Sequence, residues 1–210
     1  MSNRLIVESE NDKFFIEALV KNINITIEVD EPVCSIDEYN CLGGMSKLEN
    51  KLVELKGQAL KHGINKIGII FDADDVGIET RTKQVQEKID LVFEQEHDIQ
   101  FKIHILNING SGELETLLKQ IKSKDSIIAD CLDNWRNCLP DEKTIKEKDF
   151  DKFWIQVYQR YDCCTNREKK QADKNCNNEA SLIGKEIYDF NKDIKELNSL
   201  KKFLMSMNNS

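Results

Sequence analysis

The residues from Lys66 to Phe71 (KIGIIF) are nearly all apolar, and this run constrains the fold more than any other part of the chain. A strand with one wet face alternates apolar and polar residues, whereas a strand buried on both faces reads as a continuous apolar run. Such strands belong to parallel sheets that helices cover on both sides. The run therefore predicts a central strand of an α/β protein.

Strand and helix patterns alternate around this run. Further strands are predicted at Arg4–Glu8, 24–29 and Gln100–Leu106, and the segments between them carry apolar residues at helical spacing. This alternation implies a parallel sheet with right-handed crossovers. Beyond about residue 124 only helical spacing continues. We therefore predict an α/β domain of residues 1–124, a parallel sheet flanked by helices, and a helical extension of residues 125–210.

Local signals predict where several helices begin and end. Asn11 or Asp12 is suited to cap the first helix, and Ser46 to Glu49 forms a capping-box pattern before the second. Within the extension, the polar stretch Cys163–Asn178 is typical of a surface loop, and a long helix is expected over Glu179–Leu204.

Composition limits the classes of protein that fit. No apolar stretch approaches the ~20 residues of a membrane span, and the N-terminus lacks the pattern of a signal peptide, so we expect a cytoplasmic protein. In that compartment the seven cysteines are expected to be free thiols, although a zinc site at Cys163, Cys164 and Cys176 is an alternative. The net charge of −8 requires any nucleic-acid contact to use locally concentrated cations.

Acidic residues follow two of the predicted strands. The first strand ends in Glu8, and the central strand runs into Asp72, Ala73 and Asp74. Ligands of open parallel sheets collect at the carboxyl ends of the strands, so these carboxylates are expected to converge there. Along an extended segment Asp72 and Asp74 would point the same way. Carboxylate oxygens at a hydrated site suit Mg²⁺ or Mn²⁺, and a metal site is predicted.

A plainer interpretation explains the same acids without a metal. Asp74 or Asp75 could cap the helix that follows, and Glu8 could simply be exposed at the end of its strand. Acids at strand ends are common, so either motif alone would be weak. Their joint placement on two strand ends of one predicted sheet favours the metal site.

The two motifs resemble those of the TOPRIM family. LIVESENDKFF is similar to the family's first motif, a strand that runs into Val-Glu-Gly-x-x-Asp, with Ser9 here at the glycine position. FDADDVG is similar to the second, Asp-x-Asp followed by glycine, and Ser111 to Glu115 fits a Gly-x-Leu-Glu element of the OLD-type nucleases. The resemblance covers roughly residues 4–120 and implies a TOPRIM-like fold.

The resemblance also implies roles for individual residues. Glu8 would be the general acid/base or a metal ligand, Asp72 and Asp74 would bind Mg²⁺ or Mn²⁺, and Asp12 and Glu115 would complete the site or hold a second ion. The expected activity is metal-dependent cleavage of nucleic acid, DNA or RNA. Two alternatives are a non-catalytic module that acts with a protein partner such as an ATPase, and a nucleotidyl transferase or primase-like enzyme.

Cations on the second helix are candidates for contacts with nucleic acid. Lys47 and Lys51 lie near the start of that helix and could bind a phosphate backbone, as could the cluster Arg167, Lys169, Lys170 and Lys174 in the late polar stretch. A solvated helix face and a solvated loop are the alternatives for the two groups.

Overall fold

The computed structural model describes residues 2–34, 44–93, 98–140 and 143–208. Within them the chain forms two compact units, the first of residues 2–112 and 194–208, and the second of residues 113–193. The strands are β1 (Ser2–Val7), β2 (Glu28–Val29), β3 (Ile64–Asp72) and β4 (Gln100–Leu106). The helices are α1 (Glu10–Asn22), α2 (Gly44–His62), α3 (Ile78–Val92), α4 (Leu114–Gln120), α5 (Ile127–Asn137), α6 (Glu147–Val157), α7 (Asn166–Lys169), α8 (Ala172–Asn175) and α9 (Lys195–Asn208).

The strands of the first unit pair in the order β2-β1-β3-β4, and every pairing is parallel. This confirms the predicted α/β class and the parallel sheet. The central strand is buried on both faces, as its apolar run indicates: Ile67, Ile69 and Ile70 are fully buried, and Phe71 is nearly so. Because β1 and β3 are neighbours, their carboxyl ends lie at the same edge of the sheet.

Helices cover the two faces of this sheet with different packing. On one face Ile67, Ile69 and Phe71 join a core with the leucines of α2. On the other face Gly68 allows a close approach, since a Cβ there would lie 2.5 Å from Leu5 Cδ2 and 3.1 Å from Met207 Cε. The helix α9, which carries Met207, packs against β4. The helical segment at the chain's end therefore completes the core of the first unit.

The second unit consists of helices. The ring of Trp154 on α6 stacks on that of Tyr158, with centroids 5.4 Å apart, and both residues are buried. Tyr158 lies in a π-helical turn, Tyr158–Asp162, that continues α6, and its hydroxyl donates to the Ile187 carbonyl at 2.8 Å. No helix within the described residues is long and apolar enough to cross a membrane.

The units divide at different residues from those predicted. The expected boundary was residue 124, but the first unit leaves off at Gly112 because α4 packs against α6 and so belongs with the second unit. The expected extension of residues 125–210 is divided as well, since α9 belongs with the first unit. The second unit is therefore an insertion between β4 and α9.

Several local predictions were wrong. The first helix is capped by Ser9, not by Asn11 or Asp12, because Ser9 is extended and its side chain accepts the Asp12 N–H. The strand expected over 24–29 is only two residues long, since Asn24 has a φ of 55° in the turn after α1. The stretch Cys163–Asn178 contains α7 and α8, and the long helix expected over Glu179–Leu204 is interrupted between 185 and 194.

The cysteines do not all remain thiols. Cys164 and Cys176 form a disulfide, with their Cα atoms 6.3 Å apart, because the turn through α7 and α8 brings the two ends of that stretch together. The expectation of free thiols is wrong for this pair and for Cys34, which is also disulfide-bonded, and it holds for Cys131, Cys138 and Cys163. Cys41 lies outside the described residues.

Candidate functional site at the carboxyl edge of the sheet

Glu8 directly follows β1, and its neighbours at the edge are the last residues of β3. The register pairs Val7 with Ile70, so Glu8 lies beside the end of β3, and the Asp72 backbone N–H donates a hydrogen bond to the Glu8 carboxylate. The Glu8 side chain is partly buried, and its Oε2 atom is buried with no hydrogen-bond partner among the described residues. A buried carboxylate oxygen in this state is costly unless another group compensates it.

The surroundings of Glu8 raise its pKa from the usual 4.5 to about 7. Burial is the largest cause, because it disfavours the charged form, and the negative charges of Asp12 and Asp74 add to it. The Arg81 charge and the Asp72 N–H act in the opposite direction. Glu8 therefore exchanges its proton near neutral pH, as a group that transfers protons requires.

Gly44, the first residue of α2, gives the Glu8 carboxylate its space. A Cβ at this position would lie 2.6 Å from Glu8 Oε1, which is closer than real Cβ contacts allow. Gly44 is buried, and the N-terminal end of α2, where the helix dipole favours negative charge, therefore lies beside the carboxylate.

The side chains of Asp72 and Asp74 are not placed on the same face by the alternation of an extended strand. Strand β3 ends at Asp72, and Asp74 has a φ of 48°, in the left-handed region. Its backbone instead forms an isolated antiparallel bridge with Gly112, with hydrogen bonds of 3.1 and 3.2 Å. The premise of an extended Asp-x-Asp segment is therefore wrong, and the direction of the Asp74 carboxylate is set by this turn.

Arg81 on α3 is the cation of this edge, and the sequence motifs did not identify it. Its guanidinium donates to the Asp74 carboxylate and, at 3.0 Å, to the Asp72 carbonyl oxygen. One signal for it exists in the sequence. Arg81 lies in the first turn of a helix, where the dipole favours acids, so a cation there indicates an anionic partner nearby.

Asp12 has a structural task. Its carboxylate accepts hydrogen bonds from the Ser9 backbone N–H at 2.8 Å and from the Ser9 hydroxyl at 2.7 Å, and these complete a capping box at the start of α1. Ser9 therefore holds Asp12 in place. Because Asp12 is buried and its charge acts on Glu8, it shapes the site through electrostatics.

The remaining predicted site residues lie in other surroundings. Lys51 is 14% exposed and pairs with Glu54 at 3.3 Å, whereas Lys47 is partly buried in the first turn of α2. Glu115 lies in the first turn of α4 and belongs to the second unit, unlike Glu8, Asp72 and Asp74. A role in metal binding for Glu115 and in nucleic-acid binding for the two lysines stays a prediction.

The donor set at the edge fits a hard divalent cation in its chemistry. Carboxylate oxygens are the ligands that Mg²⁺ prefers, and the unbonded Glu8 Oε2 is available to one. Within the described residues, however, no group of three or more acidic, histidine or cysteine side chains is already arranged to hold a metal. Since Asp74 is paired with Arg81, a cation shared by Glu8 and Asp74 would compete with that guanidinium.

Comparison with known proteins gives a family without an assigned activity. A family model with the description "Protein of unknown function (DUF3226)" matches residues 2–208, nearly the whole chain. No curated protein and no solved structure matches the chain.

Proposed function

The chain belongs to the DUF3226 family, proteins of unknown function, and we propose that it is a Mg²⁺-dependent enzyme that cleaves phosphodiester bonds in nucleic acid. The observation that carries the proposal is the Glu8 carboxylate, which combines a buried, unbonded oxygen with a pKa of about 7 at the edge of a parallel sheet. The resemblance of both motifs to the TOPRIM family supports the same chemistry.

In this proposal each residue at the carboxyl edge has a different role. Asp72 and Asp74 would hold the cation, with Mn²⁺ as a substitute for Mg²⁺. A bound cation would polarise the scissile phosphate and lower the pKa of an attacking water. Glu8 would accept a proton and return it to the leaving oxygen, since its carboxylate lies beside Asp72 at the same edge. Asp12 and Gly44 would keep the Glu8 carboxylate in place.

A cleavage assay with matched variants tests the proposal. Purified protein is incubated with plasmid, single-stranded DNA and structured RNA in the presence of Mg²⁺ or Mn²⁺. Asp72→Ala and Glu8→Gln are expected to lower cleavage by about 100-fold or more, the usual contribution of such groups. Asp75→Ala is the control, because Asp75 is an exposed acid in the same loop. Equal background from wild type and Asp72→Ala on every substrate would contradict the proposal.

A second candidate, a module that acts with a protein partner, has one observation in its favour. Ile127, Ile128 and Trp135 on α5 expose 74%, 47% and 44% of their surface, and they lie along one side of that helix. Apolar side chains exposed together mark protein-interaction surfaces. Unchanged association with cellular protein after Trp135→Ser would argue against this candidate, whereas the cleavage assay bears on the first.

We propose that the protein is located in the cytoplasm. The disulfide between Cys164 and Cys176 is unusual for a reducing compartment. Thiol labelling of protein purified from rapidly quenched cells would test this assignment, because a cytoplasmic pair that is reduced in the cell would take up label.

A further inference from the structure

The stretch of residues 160–174, here called the basic segment, carries a charge opposite to that of the whole chain. It contains five Lys or Arg residues and three acids, whereas the full chain has 30 Lys or Arg and 38 acids. An acidic protein that binds nucleic acid must concentrate its cations locally. The basic segment meets this requirement in composition, so the question is whether its cations are available.

Two of the three acids of the segment have partners outside its cations. The Asp162 carboxylate accepts the backbone N–H groups of Ile128 and Ala129, both at 2.9 Å, at the start of α5. Glu168 closes a capping box with Thr165 and pairs with Lys185 at 2.9 Å, and its pKa is lowered to about 2, chiefly by the hydrogen bond from the Thr165 backbone. Neither carboxylate therefore neutralises a cation within the segment.

The cations of the segment, in contrast, face solvent. Arg160, Arg167, Lys170 and Lys174 are exposed, and among the residues whose side chains the structure describes, none of them lies within ion-pair distance of an acid. Cations elsewhere in the second unit behave differently: Lys119, Lys122, Arg136 and Lys152 each pair with an acid. Lys124, Lys143, Lys146 and Lys192 of this unit are also exposed, and among the described residues none of them has an ion pair, but they are spread along the chain. The basic segment therefore holds the densest group of unpaired cations in the unit.

An aromatic ring lies within the same stretch. Tyr161 is 50% exposed, and Lys169 Nζ lies 5.3 Å from the centroid of its ring. Bases of single-stranded nucleic acid stack on such rings while cations contact the phosphates. The disulfide between Cys164 and Cys176 closes the loop that contains α7 and α8, and this limits the entropy that binding would cost.

We propose that the basic segment binds single-stranded nucleic acid, with Arg167, Lys170 and Lys174 on the phosphates and Tyr161 stacked on a base. The inference builds on the nucleic-acid substrate of the proposed function and assigns it a binding surface in the second unit. Recognition is of the backbone and of base stacking, so little sequence preference is expected.

Fluorescence anisotropy with a labelled oligo-dT of about 20 nucleotides, in EDTA and across a range of salt, tests this surface. The test variant removes three exposed positive charges of the basic segment, and the control variant removes three exposed lysines outside it. The test variant is Arg167→Gln/Lys170→Gln/Lys174→Gln, and the control is Lys83→Gln/Lys195→Gln/Lys202→Gln. The test variant should bind at least about tenfold more weakly, and its salt slope should be smaller by about 2. The control should bind as the wild type does.

Tyr161→Leu separates stacking from charge. It should weaken binding several-fold while leaving the salt slope unchanged, because stacking releases no counterions. Equal losses in the test and control variants, no binding by the wild type, or preferred binding of the wild type to phosphatidylserine vesicles at the same salt would each overturn the proposal.

The two proposals fail separately. Because EDTA removes any divalent cation, binding through the basic segment does not depend on the carboxyl edge, and Asp72→Ala should bind the oligonucleotide as the wild type does. Binding that follows the segment without any cleavage would reject only the nuclease. Cleavage that requires Asp72, with full binding by the test variant, would reject only the surface.

Discussion

Arg81 determines the charge balance at the carboxyl edge of the sheet. The negative charges of Asp12 and Asp74 raise the pKa of Glu8, and Arg81 lowers it while it contacts Asp74. Its side chain is only 12% exposed, so water screens this interaction poorly. A divalent cation at the same edge would meet both a pre-existing partner for Asp74 and a like charge nearby.

Arg81→Gln is therefore expected to bind Mn²⁺ about tenfold more tightly than the wild type, because the competing cation is removed while the carboxylates remain. Isothermal titration calorimetry measures the change. Lys83→Gln removes the same charge from the same helix at a position that is 79% exposed, and its affinity should equal that of the wild type. Unchanged or weaker Mn²⁺ binding in Arg81→Gln would show that Arg81 does not compete for the site.

The sequence predicted the site residues of the strand ends, but not their arrangement. Glu8 and Asp72 could be placed because parallel strands bring their carboxyl ends to one edge. The direction of the Asp74 side chain could not, since it depends on a left-handed backbone held by a bridge to Gly112, which is distant along the chain. The capping role of Asp12 was also missed. It depends on Ser9, which the motif comparison treated only as a replacement for glycine.

At the scale of elements, helix α2 contacts the site through its first residue, Gly44. Gly44 is buried against Glu8, whereas Gly57, further along α2, has nothing within 4 Å of an added Cβ. Alanine favours a helix interior over glycine by about 1 kcal/mol, and this applies to Gly57. The two positions differ above all in what the new methyl group meets.

Gly44→Ala should lower cleavage by about tenfold or more, because the methyl group displaces the Glu8 carboxylate. Gly57→Ala should leave cleavage unchanged and raise the free energy of unfolding by about 0.5–1 kcal/mol. The cleavage assay and urea unfolding give the two readouts. Cleavage at the wild-type rate in Gly44→Ala would contradict the role given to this contact.

Two strands of the sheet were predicted well from their local sequence pattern. Strand β3 is recognisable from residues 66–71 because both of its faces are buried, and β4 matches its predicted range of Gln100–Leu106. The stretch Glu179–Leu204 was read as one helix because its apolar spacing is helical at both ends. The break in it follows from pairing that is distant in sequence, in which Tyr188 bridges Lys122.

For the whole molecule, the division into units could not be derived from local patterns. Along the chain, all residues of the second unit lie between the last strand of the sheet and helix α9. Met207 of this helix nevertheless packs at Gly68, and Lys102 Nζ donates to the Ser206 carbonyl at 3.1 Å. The sequence reports that α9 is amphipathic, but not which sheet or helix its apolar face contacts. Only the tertiary contacts assign it to the first unit.

Two titrating groups of the first unit have opposite effects on its stability. The Glu8 pKa is raised from 4.5 to about 7, so folded protein holds a proton that unfolded protein releases, and stability falls as pH rises between these values. Burial lowers the pKa of His104 from 6.5 to about 4, so unfolded protein binds the proton first, and stability rises with pH over that range. Each effect amounts to about 3 kcal/mol, and the two nearly cancel between pH 4.5 and 6.5.

The free energy of unfolding of the wild type is therefore expected to change little with pH across this window. Variants that remove one of the two groups should show the pH dependence of the other. Glu8→Gln should gain about 3 kcal/mol over the wild type above pH 7 and lose stability as the pH falls towards 4.5. His104→Phe, which keeps a ring against Phe203 at the site of the present 5.2 Å contact, should lose stability as the pH rises from 4.5 to 7. Urea unfolding followed by far-ultraviolet circular dichroism measures all three profiles. Parallel profiles for the wild type and Glu8→Gln would mean that Glu8 titrates at its ordinary pKa, and its assignment as the proton carrier of the site would then fail.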